Sequence, residues 1–77
     1  MKATAEKIRQ EMAKVLHLNI DAIKDEYPLK TLVAESFLLI ELVIELQDTF
    51  DIIISQDELP KIETVANLIE MIISKSK

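Results

Sequence analysis

Not one glycine occurs among the 77 residues, and there are only two prolines and three aromatic residues. Leu, Ile, Lys and Glu are plentiful instead, a balance that points to an all-α chain. Apolar side chains recur at helical spacing in three segments. Over residues 3–16, Ile8, Met12, Val15 and Leu16 share one face, and Thr4 is placed to cap the start. Residues 36–50 form the second helix. The third starts after Thr64, another N-cap, and runs over residues 65–74 with Val65, Leu68, Ile69 and Ile72 facing inward. Between the first two lies a long connection, "HLNIDAIKDEYPLKTLVAE", in which Pro28 prevents a regular helix. Leu18, Ile20, Ile23, Leu29 and Leu32 are its expected anchors to the core, and Tyr27 packs the loop. In the acidic stretch "SQDELPKI", Pro60 limits any helix to about one turn. The run "IIIS" after Asp51 has strand propensity but no partner strand, so it reads as extended chain turning Ile52 or Ile54 inward. The expected fold is a small four-helix bundle, three longer helices plus one short third helix, with a long first loop, in one domain over residues 1–77.

A chain this short sits near the lower limit for a self-sufficient core, worth ~3–5 kcal/mol net. With no Cys, no disulfide supplements it. An apolar fraction of 49% argues against disorder. No apolar run approaches the ~18 residues that span a membrane, and the start "MKATAEKIRQEM" is too charged for a signal peptide. A cytoplasmic monomer with no membrane insertion is the expectation. Charge is unevenly placed. Residues 1–30 and 61–77 each carry a net of +1, whereas residues 31–60 have seven acids and no Lys or Arg. That acidic middle repels a phosphate backbone, which excludes nucleic acid, and favours a partner with a basic patch.

The central helix has two faces. Spacing residues by roughly 100° places Leu39, Leu42, Val43, Leu46 and Phe50 on a core stripe. Glu41, Glu45 and Asp48 form an i, i+4, i+7 line opposite, with Phe37, Ile40 and Ile44 beside or among them. Isolated surface apolar residues need no function. Grouped with carboxylates, they also suit a docking face, with an apolar centre for affinity and acids to steer a basic partner. Ser36 begins the helix with Glu35 before it, and either is placed to act as a cap. A helix N-terminus also favours an anion, so a serine there is a suitable bearer of a phosphodiester.

The stretch "AESFLLIELVIELQDTFDIII" strongly resembles the phosphopantetheine attachment region of acyl carrier proteins. That family's usual pattern is Gly-Ala-Asp-Ser-Leu, then a helix rich in Glu and Leu that ends in Phe-Asp. "LHLNIDAI" is similar to the start of the family's long first loop, and "KIETVANLIEMI" to the beginning of its last helix, so the resemblance covers nearly the whole chain. It implies that Ser36 receives 4′-phosphopantetheine from coenzyme A through a separate phosphopantetheinyl transferase. It implies further that acyl groups ride as thioesters on the arm between enzymes of fatty-acid or related polyketide and lipid biosynthesis. Glu35, Phe37, Ile40, Glu41, Ile44, Glu45 and Asp48 match positions that meet partners, namely acyl-transferring, condensing or ligase enzymes with basic docking patches. An acyl chain folded back between the helices would lie among Leu39, Leu42, Leu46, Phe50, Ile62, Leu68 and Ile72.

The chain departs from the family pattern in places. Val33 stands where Gly is usual, Glu35 where Asp is usual, and Phe37 where Leu is usual; Leu38 occupies a position often polar. The first loop is one residue shorter, and Pro60 interrupts the short third helix. Phe after the serine also occurs in D-alanyl carriers, so a D-alanyl or aminoacyl cargo is the alternative, and an unmodified helical interaction module is another. Catalysis by the chain itself has little support. The sole histidine, His17, ends the first helix, and Ser36 has no evident base or oxyanion loop. The acids at 48, 51, 57 and 58 lack the glycine and alternating oxygen ligands of a calcium loop, so no metal site is expected.

Overall fold

The computed structural model describes residues 3–33 and 35–76, with Ser36 described by its backbone alone. Four α-helices form: α1 (Ala5–Leu16), α2 (Leu29–Leu32), α3 (Ser36–Phe50) and α4 (Val65–Lys75). Two single 3-10 turns, Ile20–Ala22 and Leu59–Lys61, punctuate the connections. No strand occurs among the described residues, and the all-α expectation holds. The short third helix anticipated near Pro60 is the second of these 3-10 turns. The additional short helix is α2, which begins directly after Pro28. Proline lacks an N–H but needs none at a helix start, so Pro28 ends the extended loop and launches a single turn.

Both expected caps are formed. The Thr4 hydroxyl accepts from the Lys7 backbone N–H at 3.2 Å. At α4 the arrangement is reciprocal: the Asn67 N–H donates to the Thr64 hydroxyl, and the Thr64 N–H donates to the Asn67 side-chain oxygen. At the other ends, α1 and α3 both close with a residue in the left-handed region, His17 (φ 56°) and Asp51 (φ 55°). Glycine is the usual occupant of such a position, and this chain has none. His and Asp tolerate the conformation better than most residues do. The turn at Asp51 redirects the chain into "IIIS", where Ile52 and Ile54 are both buried and Ile53 is 79% exposed. That segment is extended, as its alternation requires, and the Gln47 side chain holds it by accepting from the Ile54 N–H at 2.6 Å.

The core lies where α1 packs against α3 and α4. Ile8 and Met12 from α1, Leu42 and Leu46 from α3, and Val65, Leu68 and Ile72 from α4 are wholly covered. Each such side chain contributes about 1.5–3 kcal/mol of burial, which is why the apolar stripes set the helix orientations. Leu39 of the expected α3 stripe is only partly buried. The long connection is held less uniformly than expected. Ile23 and Leu29 are buried and Leu32 and Tyr27 partly so, but Leu18 and Ile20 are exposed and anchor nothing. A segment crossing the surface buries only the side chains that face inward. Backbone bonds complete the attachment: Leu29 N–H to Glu63, Val65 N–H to Tyr27 and Ala66 N–H to Asp25 tie the loop to the start of α4. Arg9 pairs with Asp25 across the same connection.

Candidate functional site

The site is built where the long connection turns into α3. Val33 closes α2 with φ −127° and ψ 93°, an extended conformation that a β-branched residue adopts freely. A glycine is therefore not required here, and the valine side chain is buried instead. Ala34 lies outside the described residues. Glu35 is the N-cap residue, also extended, with its side chain exposed and accepting no hydrogen bond from the helix. Its carbonyl takes the first bonds of α3, from Leu38 N–H at 3.1 Å and Leu39 N–H at 3.3 Å. Ser36 is thus the first residue inside the helix, one position beyond the cap.

The start of α3 is chemically open. No carboxylate lies in its first turn, and the Glu35 side chain caps none of the leading N–H groups. Those donors sit at the positive end of a 15-residue helix dipole. A helix start with no first-turn acid and no side-chain cap suits an anion, so the residues present fit a phosphodiester.

Along α3 the two faces separate as their spacing predicts. Phe37, Ile40 and Ile44 are 56%, 49% and 48% exposed, and Glu41, Glu45 and Asp48 are exposed beside them. The ion pairs among the described residues join Arg9 to Asp25 and Lys75 to Glu58, so none engages the acids of α3. An apolar row flanked by carboxylates that no described ion pair engages therefore faces solvent.

Among the grooves that adjoin this helix, two bear on the site, and neither was evident from the sequence. One, of about 480 Å3, lies between α1 and α3 and brings Lys14 and His17 close to Glu41, Ile44 and Glu45. The other, of about 500 Å3, lies beside the start of α3 and is lined mainly by Leu29, Val33, Leu39, Leu59 and Ile62. Of the seven residues expected around an acyl chain, Leu39 and Ile62 open onto this second groove. Leu42, Leu46, Leu68 and Ile72 are wholly covered within the core, and Phe50 is buried near the far end of α3. Hydrophobic spacing identifies an inward face but not which inward residues border a gap; that depends on how the loops close over them.

The sequence matches the family model described as "Phosphopantetheine attachment site" over residues 6–72. It is also similar to the acyl carrier protein of Buchnera aphidicola subsp. Schizaphis graminum (strain Sg), 31% identical over 78 residues that span the whole chain and 99% of the relative. With the match extending from α1 to α4, the chain belongs to the acyl carrier protein family, the carriers of phosphopantetheine.

Proposed function

We propose that Ser36 is the residue that accepts 4′-phosphopantetheine from coenzyme A, and that residues 1–77 act as a single carrier domain. The observation that carries this reading is the coincidence of the family match with a serine opening a helix whose first turn has no acid and no side-chain cap from Glu35. The arm's terminal thiol supplies the thioester on which acyl intermediates of fatty-acid or related biosynthesis are held. The chain's own residues do the rest. The start of α3 presents the attachment point, and the exposed face of α3 meets the enzymes that load and unload it.

In this reading Phe37, Ile40 and Ile44 supply the contact area, while Glu35, Glu41, Glu45 and Asp48 steer a basic docking patch. A phosphopantetheinyl transferase, and acyl-transferring, condensing or ligase enzymes, share that face in turn. A small aminoacyl cargo such as D-alanyl is the second reading. It is favoured by the closure of Leu42, Leu46, Leu68 and Ile72 within the core, the groove beside the start of α3 lying outside them. Incubation with coenzyme A and a broad-specificity phosphopantetheinyl transferase tests the function. The intact mass should rise by one phosphopantetheinyl group, and Ser36→Ala should abolish the gain. An unchanged mass, under conditions that modify a control carrier, contradicts the proposal.

A further inference from the structure

The groove beside the start of α3 has one wall that is not part of a longer helix. Leu59 and Pro60 on that wall belong to the second 3-10 turn, and Ile62 follows it. Glu58, the residue before the turn, fixes the wall at both ends of a short polar chain. Its Oε1 accepts from the Ser55 backbone N–H at 2.9 Å and from the Ser55 hydroxyl at 3.1 Å. Its Oε2 meets Lys75 Nζ at 2.9 Å, in the last turn of α4. One carboxylate thus joins the segment that follows "III", the groove wall and the end of α4.

The tie is well aligned but partly solvated, with the Glu58 and Lys75 side chains each 28% exposed. A partly exposed ion pair competes with water, and none of its members belongs to the wholly covered core, so it can release while α1, α3 and α4 stay packed. The residues next to the tie on that wall, Leu59 and Ile62, are two of the apolar groups facing the groove. The groove itself flanks the attachment position: Val33 precedes Ser36 by three residues and Leu39 follows it by three.

We propose that the Ser55–Glu58–Lys75 tie positions the Leu59–Ile62 wall and thereby sets the length of linear apolar acyl chain that the groove accepts. The proposal rests on the carrier reading above and deepens it. Glu58 and Lys75 are positioning residues that act through Leu59 and Ile62, and they touch no cargo themselves. Within the groove, added methylenes are sheltered until the wall is met, and beyond that point further ones crowd it or remain in water.

The test loads the full chain with a series of saturated acyl groups of increasing length and records thermal melts of each form. Intact mass first establishes loading; a chain that takes no arm overturns both the carrier reading and this proposal. For loaded wild type, the melting temperature should climb with chain length and then level off. In Glu58→Gln and in Lys75→Met, each compared with its own unacylated form, the levelling point should move outward by about two or more methylenes. Lys75→Arg, which keeps the ion pair, should restore the wild-type levelling point. If the levelling point is the same in all four proteins, the tie does not set the length, although the carrier reading survives. A melting temperature independent of chain length in wild type removes the groove as the chain's site and overturns the proposal with it.

Discussion

Leu42 and Ile44 are two residues apart on the same helix and should respond to truncation in opposite ways. Leu42 is 0% exposed in the layer between α3 and its neighbours, whereas Ile44 is 48% exposed on the acidic face. Replacing an enclosed leucine by alanine removes its transfer energy and leaves a cavity, together about 3–5 kcal/mol. Net of the entropy of ordering the chain, the core of a domain this size leaves only ~3–5 kcal/mol, so Leu42→Ala should leave the fold marginal. At roughly 4–8 °C per kcal/mol for a short domain, the melting temperature should fall by about 12 °C or more. Ile44→Ala uncovers no cavity and should cost about 1 kcal/mol or less, a few degrees at most. Far-UV circular dichroism melts of the two variants make the comparison directly. The same Ile44→Ala protein should be modified more slowly by the transferase, because it lacks contact area and not fold. Equal destabilisation by the two substitutions would refute the assignment of faces on α3, and with it the docking surface built on that assignment.

Association with a cognate enzyme should weaken as salt rises, since exposed charges are screened over about 8–10 Å. Glu41→Lys or Asp48→Lys should slow association more than Glu6→Lys on α1, and equal effects at the three sites would move the contact face elsewhere. The Glu58 carboxyl, ordinarily near 4.5, is held down to about 2 by the Ser55 backbone N–H, then by Lys75 and by the Ser55 hydroxyl. A depressed carboxyl stabilises the fold fully above its unfolded value and loses that contribution as pH falls through its folded value. The melting difference between wild type and Glu58→Gln should therefore hold steady above about pH 4.5 and close towards about pH 2; a difference that widens on acidification contradicts the bonding described. His17→Gly should relieve the left-handed residue that closes α1 and raise stability by about 0.5–1 kcal/mol, net of glycine's added freedom in the unfolded chain. A lowered melting temperature would mean that the His17 side chain contributes more than its backbone strain costs.

The sequence was most informative where one periodicity governs a whole segment. The span of α3 follows from the stripe of Leu39, Leu42, Val43, Leu46 and Phe50, and the exposure of Phe37, Ile40 and Ile44 follows from their angular offset from it. Thr4 and Thr64 marked their helix starts because a hydroxyl at that position has one specific use. The connections were harder to read. Leu18 and Ile20 look like anchors by composition, yet nothing local to "HLNIDAI" says which of its apolar side chains turns inward. The four-residue α2 is too short to show a period. The apolar groove depends on Leu29, Leu39, Leu59 and Ile62 meeting from three separate segments, a tertiary fact that no spacing records. The Glu58 tie joins residues as far apart as Ser55 and Lys75 and is equally invisible in the chain. For the site itself, residue types and order reveal the attachment motif, while the conformation at Val33 explains why its departure from glycine is tolerated.

The central claim is that one serine out of four, Ser36 and not Ser55, Ser74 or Ser76, carries the arm. Only Ser36 opens a helix longer than a single turn. The most direct measurement is fragmentation of the transferase-treated chain by tandem mass spectrometry, reading which backbone fragments retain the added mass. The account predicts that every fragment containing Ser36 is shifted and that fragments holding only Ser55, Ser74 or Ser76 are not. Added mass on any of those three, or a modified Ser36→Ala protein, contradicts it.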